Sequence, residues 1–312
     1  MLYRTSILSL TLSSGPIAGG FISQQLGWRW AYWILLCFTG VATTLLTLFM
    51  NESYATAVLM KKTKRLRKEL NRPELESRLQ LKGTPKEIFR RSLIRPTKLL
   101  TRSPIVFFFA MYIALLYGML YLMFTTIPLV FTDAYGFSTQ LAGLAYLGLG
   151  IGMVVSLSFL LRGNDAEVEK LSAKNNGVYE PEMRLPRCVY SACLIPLSLL
   201  WYGWAAQKRT HWVVVIIGMI PYGVGMTGIY VPGQTYFVDT FSEYSASAIA
   251  AATFMRSLFG AFLPLAGPPM YETLGFGWGN TILGILACLM IPIPVVFFRY
   301  GKMIRERWPV DL

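Results

Sequence analysis

Long apolar runs alternate with polar breaks along this chain. A helix needs about 20 apolar residues to cross a bilayer. Eight runs approach or exceed that length, at about 3–23, 30–50, 104–131, 139–161, 188–206, 212–237, 246–271 and 281–298. Most breaks are short (24–29, 132–138, 207–211, 239–245 and 272–280), and two are long (51–103 and 162–187). Trp28, Trp30, Tyr32 and Trp33 gather at the start of the second run, as aromatic residues do at a membrane interface. The pattern predicts an all-α polytopic membrane protein with about eight spanning helices.

Several runs carry helix breakers. The first contains Ser14-Gly15-Pro16-Ile17-Ala18-Gly19-Gly20. Gly15 and Gly19 share a helix face and would let another helix approach closely. Pro16 denies the Leu12 carbonyl its donor and invites a bend, which helices in lipid tolerate. On the residues alone this is either a packing notch or a functional hinge. The sixth run holds Gly218, Pro221, Gly223, Gly225, Gly228, Pro232 and Gly233 and should bend. In the fourth run, Gly148-Leu149-Gly150-Ile151-Gly152 imitates a dinucleotide-binding turn. No strand pattern precedes it, so Gly148 and Gly152 read as helix-packing positions.

Charge gives the runs a direction. The break at 51–103 carries 15 lysines and arginines against 5 acids, which is +10 of the chain's net +13. Within it, 58–70 and 85–100 have the spacing of amphipathic helices with basic faces. With alternating crossings, 25 of the 29 basic side chains fall on one side and three (Arg29, Lys208 and Arg209) on the other; Arg256 lies within the seventh run. The rich side is expected to be cytoplasmic, with both termini on it and the plasma membrane as the setting. A basic loop beside anionic headgroups explains the charge without nucleic acid as a partner. The break at 162–187 reads as a second loop on the same side.

Composition agrees. Of 312 residues, 54% are hydrophobic and 14% charged, with mean hydropathy +0.48, whereas a soluble domain carries about 25% charged residues. Cys37, Cys188, Cys193 and Cys288 have no zinc or pairing pattern and read as small packing residues. His211, alone beside Trp212, reads as interfacial. No metal, cofactor or catalytic residue is expected, and no cleavable signal peptide is evident at the start.

The layout of two helices, a long basic loop, six helices and a tail resembles the last two-thirds of a twelve-helix major facilitator superfamily transporter, closest to the fungal drug:proton antiporter branch. Gly15-Pro16-Ile17-Ala18-Gly19-Gly20 resembles the antiporter motif of that family's fifth helix, and Leu26-Gly27-Trp28-Arg29-Trp30 the entry to its sixth. Asn51-Glu52-Ser53-Tyr54, followed by Lys64-Arg65-Leu66-Arg67-Lys68, resembles the start of the central loop. Arg102-Ser103-Pro104, Tyr117-Gly118, Tyr135-Gly136-Phe137-Ser138 and Gly143-Leu144 resemble helices seven and eight. Ser247-Ala248 and Arg256-Ser257, with Pro264, resemble the eleventh. The resemblance implies a partial major facilitator fold. Residues 1–50 would be two helices of the N-terminal half, 51–103 a cytoplasmic loop, 104–299 a six-helix C-terminal half and 300–312 a tail. It further implies proton-coupled efflux of lipophilic small molecules, drugs or secondary metabolites. Counterparts of helices one to four are missing, so a truncated, inactive form is also an expectation.

Arg256 is the most informative single residue, because a charge at mid-bilayer costs about 2.5–3.5 kcal/mol on insertion scales and should face protein or water. It is expected either to pair with an acid, with Asp239 as the candidate, and latch a gate, or to snorkel. Tyr117, Tyr121, Tyr222 and Tyr230, with Met123, Phe124 and Met226, are candidates to line a polyspecific apolar cavity; ordinary packing is the alternative. No acid stands in the middle of runs three to eight, so a proton carrier is not visible there. Two other classes stay open: a non-transporting remnant or interaction protein, and, ranked lower, a membrane-embedded enzyme, for which one histidine and end-placed acids supply little chemistry.

Overall fold

The computed structural model describes residues 15, 18–50, 52, 55–72, 74–76, 84–242 and 244–308, and every regular element among them is helical. Contacts divide the chain into two units. One is Leu26–Ile94; the other holds the remaining residues, including everything described from Arg95 onward.

In the smaller unit, α1 (Trp28–Phe49) is a 22-residue apolar helix with no buried residue, a surface suited to lipid. At its start Trp28 packs edge-on against Tyr32 at 6.0 Å and carries the Arg29 guanidinium at 5.4 Å. α2 (Ala55–Glu69) and α3 (Pro85–Arg102), the latter running on into the larger unit, are the two amphipathic helices the charge pattern predicts.

The larger unit follows from α4 onward. α4 (Pro104–Tyr135) starts at Ser103, whose hydroxyl accepts from Val106 N, and has Pro104 in its first turn, where the missing N–H costs nothing. It ends at Gly136, left-handed at φ 66°. Inside it, Pro128 cannot donate to the Phe124 carbonyl. The Tyr146 hydroxyl takes that place at 2.5 Å, as an interior carbonyl away from water requires. The fourth apolar run is α5 (Thr139–Leu144) and α6 (Leu147–Lys174). Helix α6 continues 13 residues past Leu161, into the stretch expected to be loop. That extension is rich in good helix formers such as Glu167, Glu169, Lys170 and Leu171, so polarity there marks exposure rather than a break. A single 3-10 turn (Pro181–Arg184) leads to α7 (Pro186–Gln207).

The sixth run breaks, as its composition predicts, just before Pro221. α8 (Trp212–Gly218) gives way at Met219 to α9 (Ile220–Thr240), and the Ser198 hydroxyl of α7 donates to the Gly218 carbonyl at the break (2.5 Å). α10 (Ser245–Phe262) continues through a 3-10 turn (Leu263–Ala266) into α11 (Gly267–Met290). The chain reverses within α11 at Gly275, whose φ 74°, ψ 173° are open only to glycine. Beyond it the helix runs antiparallel to α7: Trp278 meets Trp204 at 5.8 Å, and a Cβ on Gly284 would sit 3.6 Å from Leu200. α12 (Pro292–Arg307) closes the bundle.

Lipid is as apolar as a leucine side chain, so burial from water does little to hold spanning helices together; close packing and interhelical hydrogen bonds do. Glycines supply the closeness. A Cβ at Gly148 or Gly152 of α6 would strike the carbonyl of Ile216 or Ile220, and one at Gly223 would strike Leu149 O. Gly118 admits Phe259 of α10 and Leu263 of the 3-10 turn after it, and Gly203 admits Asn280. At one end an aromatic cluster fills the interior, with Phe109 among Tyr112, Tyr236, Phe237 and Phe297.

Candidate functional site

Arg256 lies in α10 at the fourth turn from its start, on the side that packs against α4 and α9. Its Nη1 donates to the Tyr230 hydroxyl at 2.8 Å. The guanidinium carbon sits 4.4 Å from the centre of the Tyr117 ring and 5.5 Å from that of Tyr230. The Tyr117 and Tyr230 rings meet in a tilted contact at 5.5 Å, and Tyr121, one turn along from Tyr117, joins at 6.2 Å. Tyr117, Tyr230 and Arg256 are half-buried and Tyr121 is 45% exposed, so the cluster forms a face. Helix spacing puts Tyr117 and Tyr121 on one side of α4. Gly260 leaves room for the Tyr121 ring, which would stand 3.3 Å from a Cβ there.

Three of the four lining candidates therefore meet around Arg256. Tyr222 does not. It is fully buried, and its hydroxyl donates to Leu116 O at 2.8 Å, tying α9 to α4. Met123 and Met226 are likewise buried, whereas Phe124 is half-buried and meets Tyr121 at 6.0 Å.

The expected pairing of Arg256 with Asp239 is not the one formed. Asp239, at the end of α9, accepts from Arg184 Nε and from the Tyr179 hydroxyl, both at 2.5 Å, while Arg184 also reaches that hydroxyl at 3.1 Å. Asp239 is nine residues beyond Tyr230, over 10 Å along the helix axis, too far for the side chain on Tyr230 to share. Burial opposes the charge on Arg184, but Asp239 and Tyr179 more than offset it, and the guanidinium is held charged. Burial, reinforced by the Asp239 carboxylate, raises the Tyr179 phenol above its ordinary range.

This ion pair belongs to a network at the end of the bundle where α6, α7, α9 and α12 meet the 3-10 turn. Arg187 bonds Glu167 at 2.7 Å and the Phe159 carbonyl at 3.0 Å. Lys302 donates to Glu180 at 2.7 Å, and that hydrogen bond lowers the Glu180 carboxyl below its usual value. Glu182 is buried; Arg305 stands 3.7 Å away, and Gly301 lets α12 approach, since a Cβ there would lie 2.7 Å from Glu182 Cγ. None of Tyr179, Glu180, Glu182, Arg184, Arg187 or Lys302 stood out in the sequence. The available signal was Pro181-Glu182-Met183-Arg184-Leu185-Pro186, a charged turn bracketed by prolines.

In the Gly-Pro motif, Pro16 lies outside the described residues. Gly15, Gly19 and Gly20 are helical, and no described atom lies within 4 Å of a Cβ built on Gly15 or Gly19. Of the cysteines, only Cys188 packs inside; Cys37, Cys193 and Cys288 lie on exposed helix faces. His211 caps α8, its Nδ1 accepting from Val213 N at 3.4 Å, and stacks on Trp212. No cluster of metal-ligand residues occurs among the described residues.

A sequence model of the Major Facilitator Superfamily matches residues 3–264. Among individual proteins, the chain is 47% identical over 288 residues to one named MFS transporter cpaT from Aspergillus oryzae, covering 92% of this chain and 58% of the relative. It is 47% identical over 287 residues to the MFS-type transporter penM of Penicillium rubens, covering 92% and 56%. It is 42% identical over 295 residues to the efflux pump radE of Floropilus chiversii, covering 94% and 55%. The chain thus spans rather more than half the length of these relatives.

Proposed function

Because the chain belongs to the major facilitator superfamily, we propose that it takes part in proton-coupled export of lipophilic small molecules across the plasma membrane. The family is one of transporters rather than enzymes, and several relatives are named for efflux or transport. The observation that carries the reading is the half-exposed face of Tyr117, Tyr121, Tyr230 and Arg256. It sits within a bundle whose sixth apolar run is broken at Met219, the kind of discontinuous helix that alternating access uses. In this reading residues 104–299 form the C-terminal half of a transporter and residues 1–50 belong to the N-terminal half. Tyr222 acts as a strut between α4 and α9, and Gly15 through Gly20 are part of an antiporter-type helix. The network around Arg184 and Asp239 lies on the cytoplasmic side with both termini, and the coupling proton is carried outside the middles of α4 to α12.

The test is cellular. The chain is produced in a drug-sensitive yeast strain, and retention of rhodamine 6G, Nile red and fluorescein is compared with an empty-vector control. The expected result is lower retention of at least one dye, restored by a protonophore. Unchanged retention of all three, with the protein verified at the cell surface, refutes export. Orientation is read by labelling introduced cysteines: position 208 should react from outside the cell and position 302 should not.

A further inference from the structure

Arg256 brings a full positive charge into the apolar part of α10, and nothing described beside it cancels that charge. Its partners are a neutral hydroxyl and two ring faces. Among the described residues it forms no ion pair. Asp239, the acid proposed as its partner, is committed to Arg184 and Tyr179. Cation–π contacts stabilise a guanidinium while leaving its charge in place. The face of Tyr117, Tyr121 and Tyr230 therefore carries a positive potential, strengthened by the low dielectric around it.

We infer that this face selects lipophilic compounds that carry an anionic group, a carboxylate or an ionised phenol, with Arg256 as their counter-ion. The inference rests on the export reading above and narrows its substrate class. Three features support it. A guanidinium offers five donors in a planar fork matched to a carboxylate, and the Tyr230 hydroxyl engages Nη1. The rings that would otherwise attract an organic cation already have Arg256 against them, and that charge repels a second cation. Beside the charge lies an apolar wall of Tyr121, Phe124 and Phe259, none of them fully buried, which suits an aromatic or aliphatic body.

The full chain in lipid nanodiscs tests this by calorimetric titration with three probes of one shape. They are 1-naphthoate, its methyl ester and 1-naphthylmethylammonium. The expected order is the carboxylate tightest, by about tenfold over the ester, and the cation weakest. Arg256→Gln should remove the difference between carboxylate and ester, Arg256→Lys should keep part of it, and Lys208→Gln should leave it in place. Equal affinity for carboxylate and ester in the wild type overturns the inference. So does a preference that survives Arg256→Gln, or failure of all three probes to bind. The dye assay reads the parent proposal separately. Export without an anion preference overturns this inference alone, and an anion preference without export overturns the export reading alone.

Discussion

Adding one methyl group at Gly152 tests whether glycine contacts hold this bundle together. In a helix interior, alanine is favoured over glycine by about 0.8–1.0 kcal/mol, so propensity alone predicts that Gly152→Ala stabilises. The packing predicts the opposite. The new Cβ would collide with Ile220 O and stand 3.0 Å from both Gly223 Cα and Val224 N. All three are backbone atoms, so no side chain can swing aside, and α6 must separate from α9. Overpacking costs about 1–3 kcal/mol where side chains can adjust, and a backbone clash belongs at or above the top of that range. The net effect should be a loss of about 2 kcal/mol. Gly284→Ala is the matched control. It is also buried in a spanning helix, but its new Cβ would meet Leu200 Cγ at 3.6 Å and Pro196 O at 3.7 Å, ordinary contact distances. There the propensity gain should survive. At about 2–4 °C per kcal/mol for a unit of this size, the two variants should differ in apparent Tm by about 6–12 °C, Gly152→Ala below wild type and Gly284→Ala at or above it. The assay is fluorescence-detected thermal unfolding of detergent-solubilised protein. Equal melting of the two variants would show that α6 and α9 are not in glycine-mediated contact, and the packing argument would fail.

Other outcomes follow from single contacts. Tyr146→Phe leaves the Phe124 carbonyl without a donor because Pro128 cannot supply one, and should cost about 1–3 kcal/mol; in a Pro128→Ala background, where the helix restores its own bond, the same change should cost markedly less, and an equal cost in both backgrounds refutes the compensation. A double-mutant cycle with Arg184→Gln and Asp239→Asn should return a coupling of about 1.5–3 kcal/mol in thermal stability, and additive effects would show the pair to be incidental. The Glu180–Lys302 bond lowers the Glu180 carboxyl below its usual 4.5, so its contribution is present above that value and is lost as pH falls through the lowered one. The stability difference between wild type and Glu180→Gln should therefore be flat at neutral pH and shrink only in acid below 4.5; a difference that vanishes between neutral pH and 5 would refute the assignment.

The apolar runs from residue 30 onward, the start of α4 at Ser103-Pro104 and its stop at Gly136, and the break before Pro221 were legible in the sequence, whereas most of the first run lies outside the described residues. Each depends on local chemistry: runs on side-chain transfer energies summed over a window, caps and breaks on what a serine, proline or glycine does to its own backbone. Polarity misled where a helix leaves the apolar layer and simply continues, as α6 does to Lys174. Only the tertiary structure decided which side chains meet. Arg256 found Tyr117, 139 residues away, rather than Asp239, 17 away, and Asp239 found Arg184 across 55 residues. It also set Tyr222 inside and Tyr121 outside. Hydropathy reports how deep a residue lies along a helix, but the direction it faces and the partner it meets are fixed by how neighbouring helices rotate and pack, and that is a property of pairs distant in the chain.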